Sequence, residues 1–173
     1  MRRALVPLLL VALVLTGCGN GGVPHRTWVT KVCQALGPWR DRITALNGQA
    51  ADQMKTATTP AQTRDNLLRL LDGARQASED ARAKVAGAGV PDVADGTAIE
   101  ERFVAAVTAV RDAYAKAHKT VQGLSDADKN TFYAGVGTAM DALNKEYGNA
   151  GVDARKLASA DLRKDFDEVP ACA

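Results

Sequence analysis

The chain has 173 residues, with 22 Lys and Arg against 20 Asp and Glu, 46% hydrophobic residues and only 5% aromatics. With Arg2 and Arg3 set aside the two signs balance, so the rest of the chain has no bulk attraction for nucleic acid or anionic lipid. Many alanines and few aromatics point to helices packed at close range, in a length that suits one domain with a real core.

Arg2 and Arg3 open the chain, and Ala4 to Leu15 form an apolar run broken only by Pro7. The run is about twelve residues, short of the ~20 that a membrane-spanning helix needs. A positive start, a short apolar stretch and small residues before a cut site describe a signal peptide. The string Leu15-Thr16-Gly17-Cys18 is similar to the lipobox of bacterial lipoproteins. That resemblance implies cleavage after residue 17, a diacylglyceryl group on the Cys18 thiol, and a protein held on the outer face of the cell membrane. Two acyl chains anchor stably where one does not. Gly19 to Val23 and Pro24 then read as a Gly-rich leash, and a leash of that kind reaches roughly 15 Å. The expected division is 1–17 signal peptide, 18–26 lipidated N-terminus and leash, and 27–173 helical domain.

No stretch sustains strand alternation, whereas several keep the 3.6-residue period of an amphipathic helix. A first helix begins near Thr27, with Trp28, Val32, Leu36, Trp39, Ile43, Leu46, Ala50 and Met54 on its apolar stripe. Pro38 interrupts it, and the stripe keeps phase across the proline, which predicts a kink or two abutting helices. Thr59 and Pro60 have the chemistry of an N-cap followed by a first helical residue. They open a second helix striped by Leu67, Leu70, Leu71, Ala74, Ala77, Ala81 and Val85, which Gly87, Gly89 and Pro91 stop. A third starts between Gly96 and Ala98 and carries Ile99, Phe103, Val107, Val110, Tyr114 and Val121. Ser125-Asp126-Ala127-Asp128 resembles a capping box, with Asp for the usual Glu. It precedes a fourth helix with Phe132, Val136, Ala139, Met140, Leu143 and Tyr147, closed by Gly148. A shorter segment from about Asp153 to Val169 follows, in which Ser159 is placed to cap a restart. Four long helices joined by short connections predict an all-α fold: an antiparallel four-helix bundle with a kinked first helix and a shorter C-terminal fifth helix.

With Cys18 taken by lipid, Cys33 and Cys172 remain as an even pair in an exported protein, which predicts a disulfide. The segment Trp28 to Trp39 together with the closing Pro170-Ala171-Cys172 resembles small exported helical proteins of high-GC Gram-positive bacteria, a resemblance that brings no activity with it.

The residues for chemistry are sparse. His25 and His118 are the only histidines, and no i, i+3 or i, i+4 ligand pair exists for a metal. Neighbours on a helix point about 100° apart, so neither Glu79-Asp80 nor Glu100-Glu101 converges on one substrate. No phosphate loop, dinucleotide fingerprint or nucleophile elbow is present, and no cofactor is expected. Trp28 and Trp39 share the stripe of the first helix, either as core or as the lining of a pocket for a ring or lipid tail. Tyr133, beside Phe132, points off the core and is a candidate contact residue. The expectation is a lipid-anchored, extracytoplasmic, non-enzymatic module that binds a protein or cell-wall partner and no nucleic acid; the alternative is a carrier that holds an apolar ligand between its helices.

Overall fold

A computed structural model describes residues 21–172, and every described element is helical. The expected signal segment and Cys18 lie outside the described residues. Six α-helices follow one another: α1 His25–Thr56, α2 Pro60–Ala86, α3 Gly96–Gln122, α4 Lys129–Ala150, α5 Ala154–Leu157 and α6 Ala160–Glu168, with a closing 3-10 turn Pro170–Cys172. None of these helices is long and apolar enough to cross a membrane.

The caps show why the helices start where they do. Thr59 accepts from the backbone of Gln62, whose side chain reaches back to the backbone of Thr59, a reciprocal capping box worth about 1 kcal/mol. Asp128, not Ser125, caps α4 by accepting from the Thr131 amide at 2.7 Å. Ser125 instead turns its hydroxyl toward the Ala127 amide at 3.3 Å, so the expected box is displaced by three residues. Helix α4 runs past Gly148 to Ala150 and ends at Gly151, whose φ of +61° is the left-handed conformation a helix stop favours. The expected fifth helix is two short ones, because Ala158 is extended and Ser159 caps a restart at α6.

Helix α1 is a single element of 32 residues that continues through Pro38, which excludes two abutting helices. Pro38 leaves the Gln34 carbonyl without its helical donor. Both residues are exposed, so water is at hand to satisfy that carbonyl. The helix also starts two residues earlier than the period suggests, and the chain before it is already docked. The Val23 amide donates to the Val90 carbonyl at 2.7 Å, and the Asp92 amide donates to the Val23 carbonyl at 2.8 Å.

Successive long helices run antiparallel. Along α1 and α2, Trp28 meets Gly89, Trp39 meets Ser78 and Gln53 meets Arg69. Between α2 and α3, Arg64 reaches Leu124 and Glu79 reaches Arg111. Between α3 and α4, Tyr114 packs on Tyr147 and Lys116 pairs with Glu146. The core follows the expected stripes. Trp28, Val32, Leu71, Ile99, Phe103, Val107, Val110 and Phe132 are all essentially sealed from solvent, each contributing roughly 1.5–3 kcal/mol by burial. Gly135 is needed for close approach: a Cβ there would stand 2.6 Å from a Leu124 methyl, so the turn after α3 packs directly on the α4 backbone.

Candidate functional site

The C-terminal segment closes one end of the fold. Trp28 of α1, Phe103 of α3 and Phe166 of α6 form an aromatic trio. Trp28 meets both phenylalanines edge-on at 5.2 and 6.4 Å, and the two phenylalanines stack at 5.8 Å. Cys33 and Cys172 stand at disulfide distance, with Cα atoms 5.0 Å apart and a sequence separation of 139. His25, read from sequence as part of the leash, is instead the first residue of α1. Its Nδ1 lies 2.5 Å from the buried Asp165 carboxylate of α6.

Neither tryptophan is placed as a surface contact. Trp28 is fully buried and Trp39 nearly so, and both indole N–H groups are spent inside the protein, on the Gly89 carbonyl at 2.6 Å and the Ser78 hydroxyl at 3.1 Å. Trp39 borders only a shallow dip of about 110 Å³. The stripe is core at both tryptophans, because α2 packs on it at Trp39 and the Phe103 and Phe166 rings of α3 and α6 pack on it at Trp28. Tyr133 is exposed at the far end of the molecule, its ring edge-on to Phe132 and its hydroxyl 3.3 Å from that of Thr63.

The concave surface lies elsewhere, along the flank of α1. The backbones of α1 and α4 nowhere approach within 8 Å among the described residues, and the seam between them is a groove of about 300 Å³. Ile43 and Asn47 of α1 form one wall, and Met140, Leu143, Asn144 and Tyr147 of α4 form the other. Leu70 and Leu71 of α2 and Tyr114 of α3 form its floor. Burial pushes the Tyr114 phenol up to about 12, with Tyr147 nearby adding to the effect. Burial also raises the Tyr147 phenol, against the pull of Arg40. Both hydroxyls therefore stay protonated through the physiological range. Neither is hydrogen-bonded to another side chain or backbone group among the described residues.

A second hollow, of about 450 Å³, adjoins toward the disulfide, bounded by Leu36 and Arg40 of α1 and by the Val152–Arg155 turn. Arg40 stands between the two hollows: it lines this one, and Ile43 and Asn47, three and seven residues on along the same face of α1, line the other. The groove residues were legible as stripe members but not as a site. Ile43, Leu71, Tyr114 and Leu143 carry the same apolar signal as any core residue, and the only distinguishing sign is the pair of tyrosines on two facing stripes.

The charged pairs are structural. Glu79 of α2 accepts from Arg82 one turn on and from Arg111 of α3, and those two guanidinium groups hold its carboxyl at about 2. Burial, helped by Glu101 beside it, raises the Glu100 carboxyl, and Glu100 lines neither hollow. Among the described residues no three His, Cys, Asp or Glu side chains are placed to hold a metal ion. Compared with protein-family models, with curated proteins and with solved structures, the chain matches none.

Proposed function

We propose that the protein is a lipid-anchored, extracytoplasmic binding module without catalytic activity, in which the four long helices form an antiparallel bundle left open along the α1–α4 seam, and that this seam is its binding site. The observation that carries the reading is the seam itself: a half-enclosed groove of about 300 Å³ with an apolar floor, within the size range of small-molecule sites. The Leu-Thr-Gly-Cys string supports the anchor, and the pairing of Cys33 with Cys172 supports an oxidising compartment.

The geometry favours a small apolar ligand over a protein partner. A protein-binding face needs a contiguous exposed apolar patch. Among the described residues the exposed large hydrophobic side chains are Val90, Tyr133 and Tyr147; they come from the α2–α3 connection, the start of α4 and its end, and of them Tyr147 lines the groove.

A photo-crosslinking amino acid at Asn144, on the groove rim, tests the site in native membranes, with Ala83 on the exposed side of α2 as the control. Small-molecule adducts at 144 and not at 83 support a ligand carrier, and protein adducts confined to 144 support a partner-binding module. Equal labelling at the two positions overturns the site. Cys18→Ala tests the anchor, since the variant should lose its partition into detergent; an unlipidated wild-type N-terminus would refute it.

A further inference from the structure

We infer that the groove takes a single-chain amphiphile with an anionic head, the head against Arg40 and the tail over Leu70 and Leu71; this rests on the reading that the seam is a binding site. Three observations converge on that ligand class.

The first is charge. Arg40 has no acidic partner among the described residues, although other charges near it do. Arg155, across the larger hollow, is paired with Asp167 at 2.8 Å. Asp153 is occupied by the Arg155 amide at 3.1 Å and the Lys156 ammonium at 3.6 Å. A guanidinium at the meeting point of two hollows, in no ion pair among the described residues although Asp153 lines the same hollow, attracts an anion that can present two oxygens to its fork.

The second is the pair of phenols. Tyr114 and Tyr147 sit edge-to-face with ring centroids 6.2 Å apart in the groove, where the α1 wall passes from Ile43 to Arg40 one helical turn back along the same face. Both keep their protons, so they offer donors and not charge. Phenol donors beside a guanidinium suit an oxyanion, and the guanidinium repels a cationic head.

The third is the shape below the head. Past Arg40 the floor and walls turn apolar, with Ile43 facing Leu143 and Met140 across Leu71. From Tyr147 to Met140 the wall is seven residues of helix, about 10 Å at 1.5 Å per residue. A groove of that length and volume admits one short acyl chain, whereas a two-chain lipid would leave one chain in water.

The test uses the full lipidated protein in phosphatidylcholine vesicles and three photoreactive ten-carbon probes: a carboxylate, the matching alcohol and the matching trimethylammonium. The carboxylate should label the Met140–Tyr147 peptide saturably and at the lowest concentration, and the trimethylammonium should label it least. Arg40→Gln should raise the half-labelling concentration of the carboxylate about tenfold, as expected for losing one charge-assisted contact at a partly exposed site, and leave the alcohol unmoved. Arg40→Lys should recover part of the difference. Asn144→Trp, which fills the groove from its exposed rim, should abolish labelling by both. If carboxylate and alcohol label alike and Arg40→Gln changes neither, the anionic head is wrong while the groove stands. If no probe labels α4 saturably, or Asn144→Trp has no effect, both the ligand and the site fall.

Discussion

Replacing Cys172 with alanine should destabilise the domain by about 3–5 kcal/mol, nearly all of it through the unfolded chain. The two cysteines are 139 residues apart in sequence, and the loop-entropy relation for a closure of that size gives roughly 5 kcal/mol at 25 °C, an upper figure because unfolded chains keep some structure. The folded state loses little. Leu162, Phe166 and Val169 are buried and hold α6 and the final turn against α1 without the bond. Cys172 itself is only half-buried, so its removal leaves no sealed cavity. Cys33 is different: it is 4% exposed and part of the core, so Cys33→Ala adds a packing loss of about 1 kcal/mol to the loss of the bond. The double variant should match Cys33→Ala alone, because the bond can be lost only once. The assay is urea unfolding of the oxidised protein followed by circular dichroism, without reductant. A loss below about 1 kcal/mol for Cys172→Ala would refute the reasoning. So would a double variant that costs the sum of the two single changes, or free thiols at both positions in exported protein.

Two further outcomes follow from the packing and the charges. Phe103 is fully buried between Trp28 and Phe166, so Phe103→Ala should cost about 3–5 kcal/mol and speed amide exchange in α6; unchanged exchange there would show that the trio does not hold the C-terminal segment. The Glu79 carboxyl is pulled from an ordinary 4.5 to about 2 by Arg82 first and Arg111 second. Its contribution is present above pH 4.5 and is lost as pH falls through about 2. Urea midpoints of the wild type should therefore drop more steeply than those of Glu79→Gln between pH 4.5 and 2, and parallel acid limbs would dismiss the network as solvent-screened.

Long helices and their buried faces were readable because amphipathic period is a local property. Leu67, Leu71, Ala74, Ala81 and Val85 recur at helical spacing whatever packs on them, and all are buried. Side-chain capping was partly readable: Thr59 reads as a cap from its place before Pro60, but the return bond from Gln62 does not, and the choice between Ser125 and Asp128 depends on how the connection packs beneath Leu124. The tryptophans show the limit. Their spacing places them on the apolar face of α1, but only the arrival of α2 and α3 makes that face core and leaves Ile43, on the same helix, at the edge of an open groove.

The sequence by itself determined the long helices in order with their apolar stripes, and it set the expectation of a lipobox-like Cys18 that leaves Cys33 and Cys172 to pair, because each rests on residues near one another in the chain or on a simple count. Tertiary structure decided the rest. It docked Val23 on the α2–α3 connection, turned His25 toward Asp165, and left α1 and α4 apart with Arg40 and two tyrosines along the gap. A groove is the space between elements whose separation depends on every other contact in the fold, and no local period encodes a distance between two helices that do not touch.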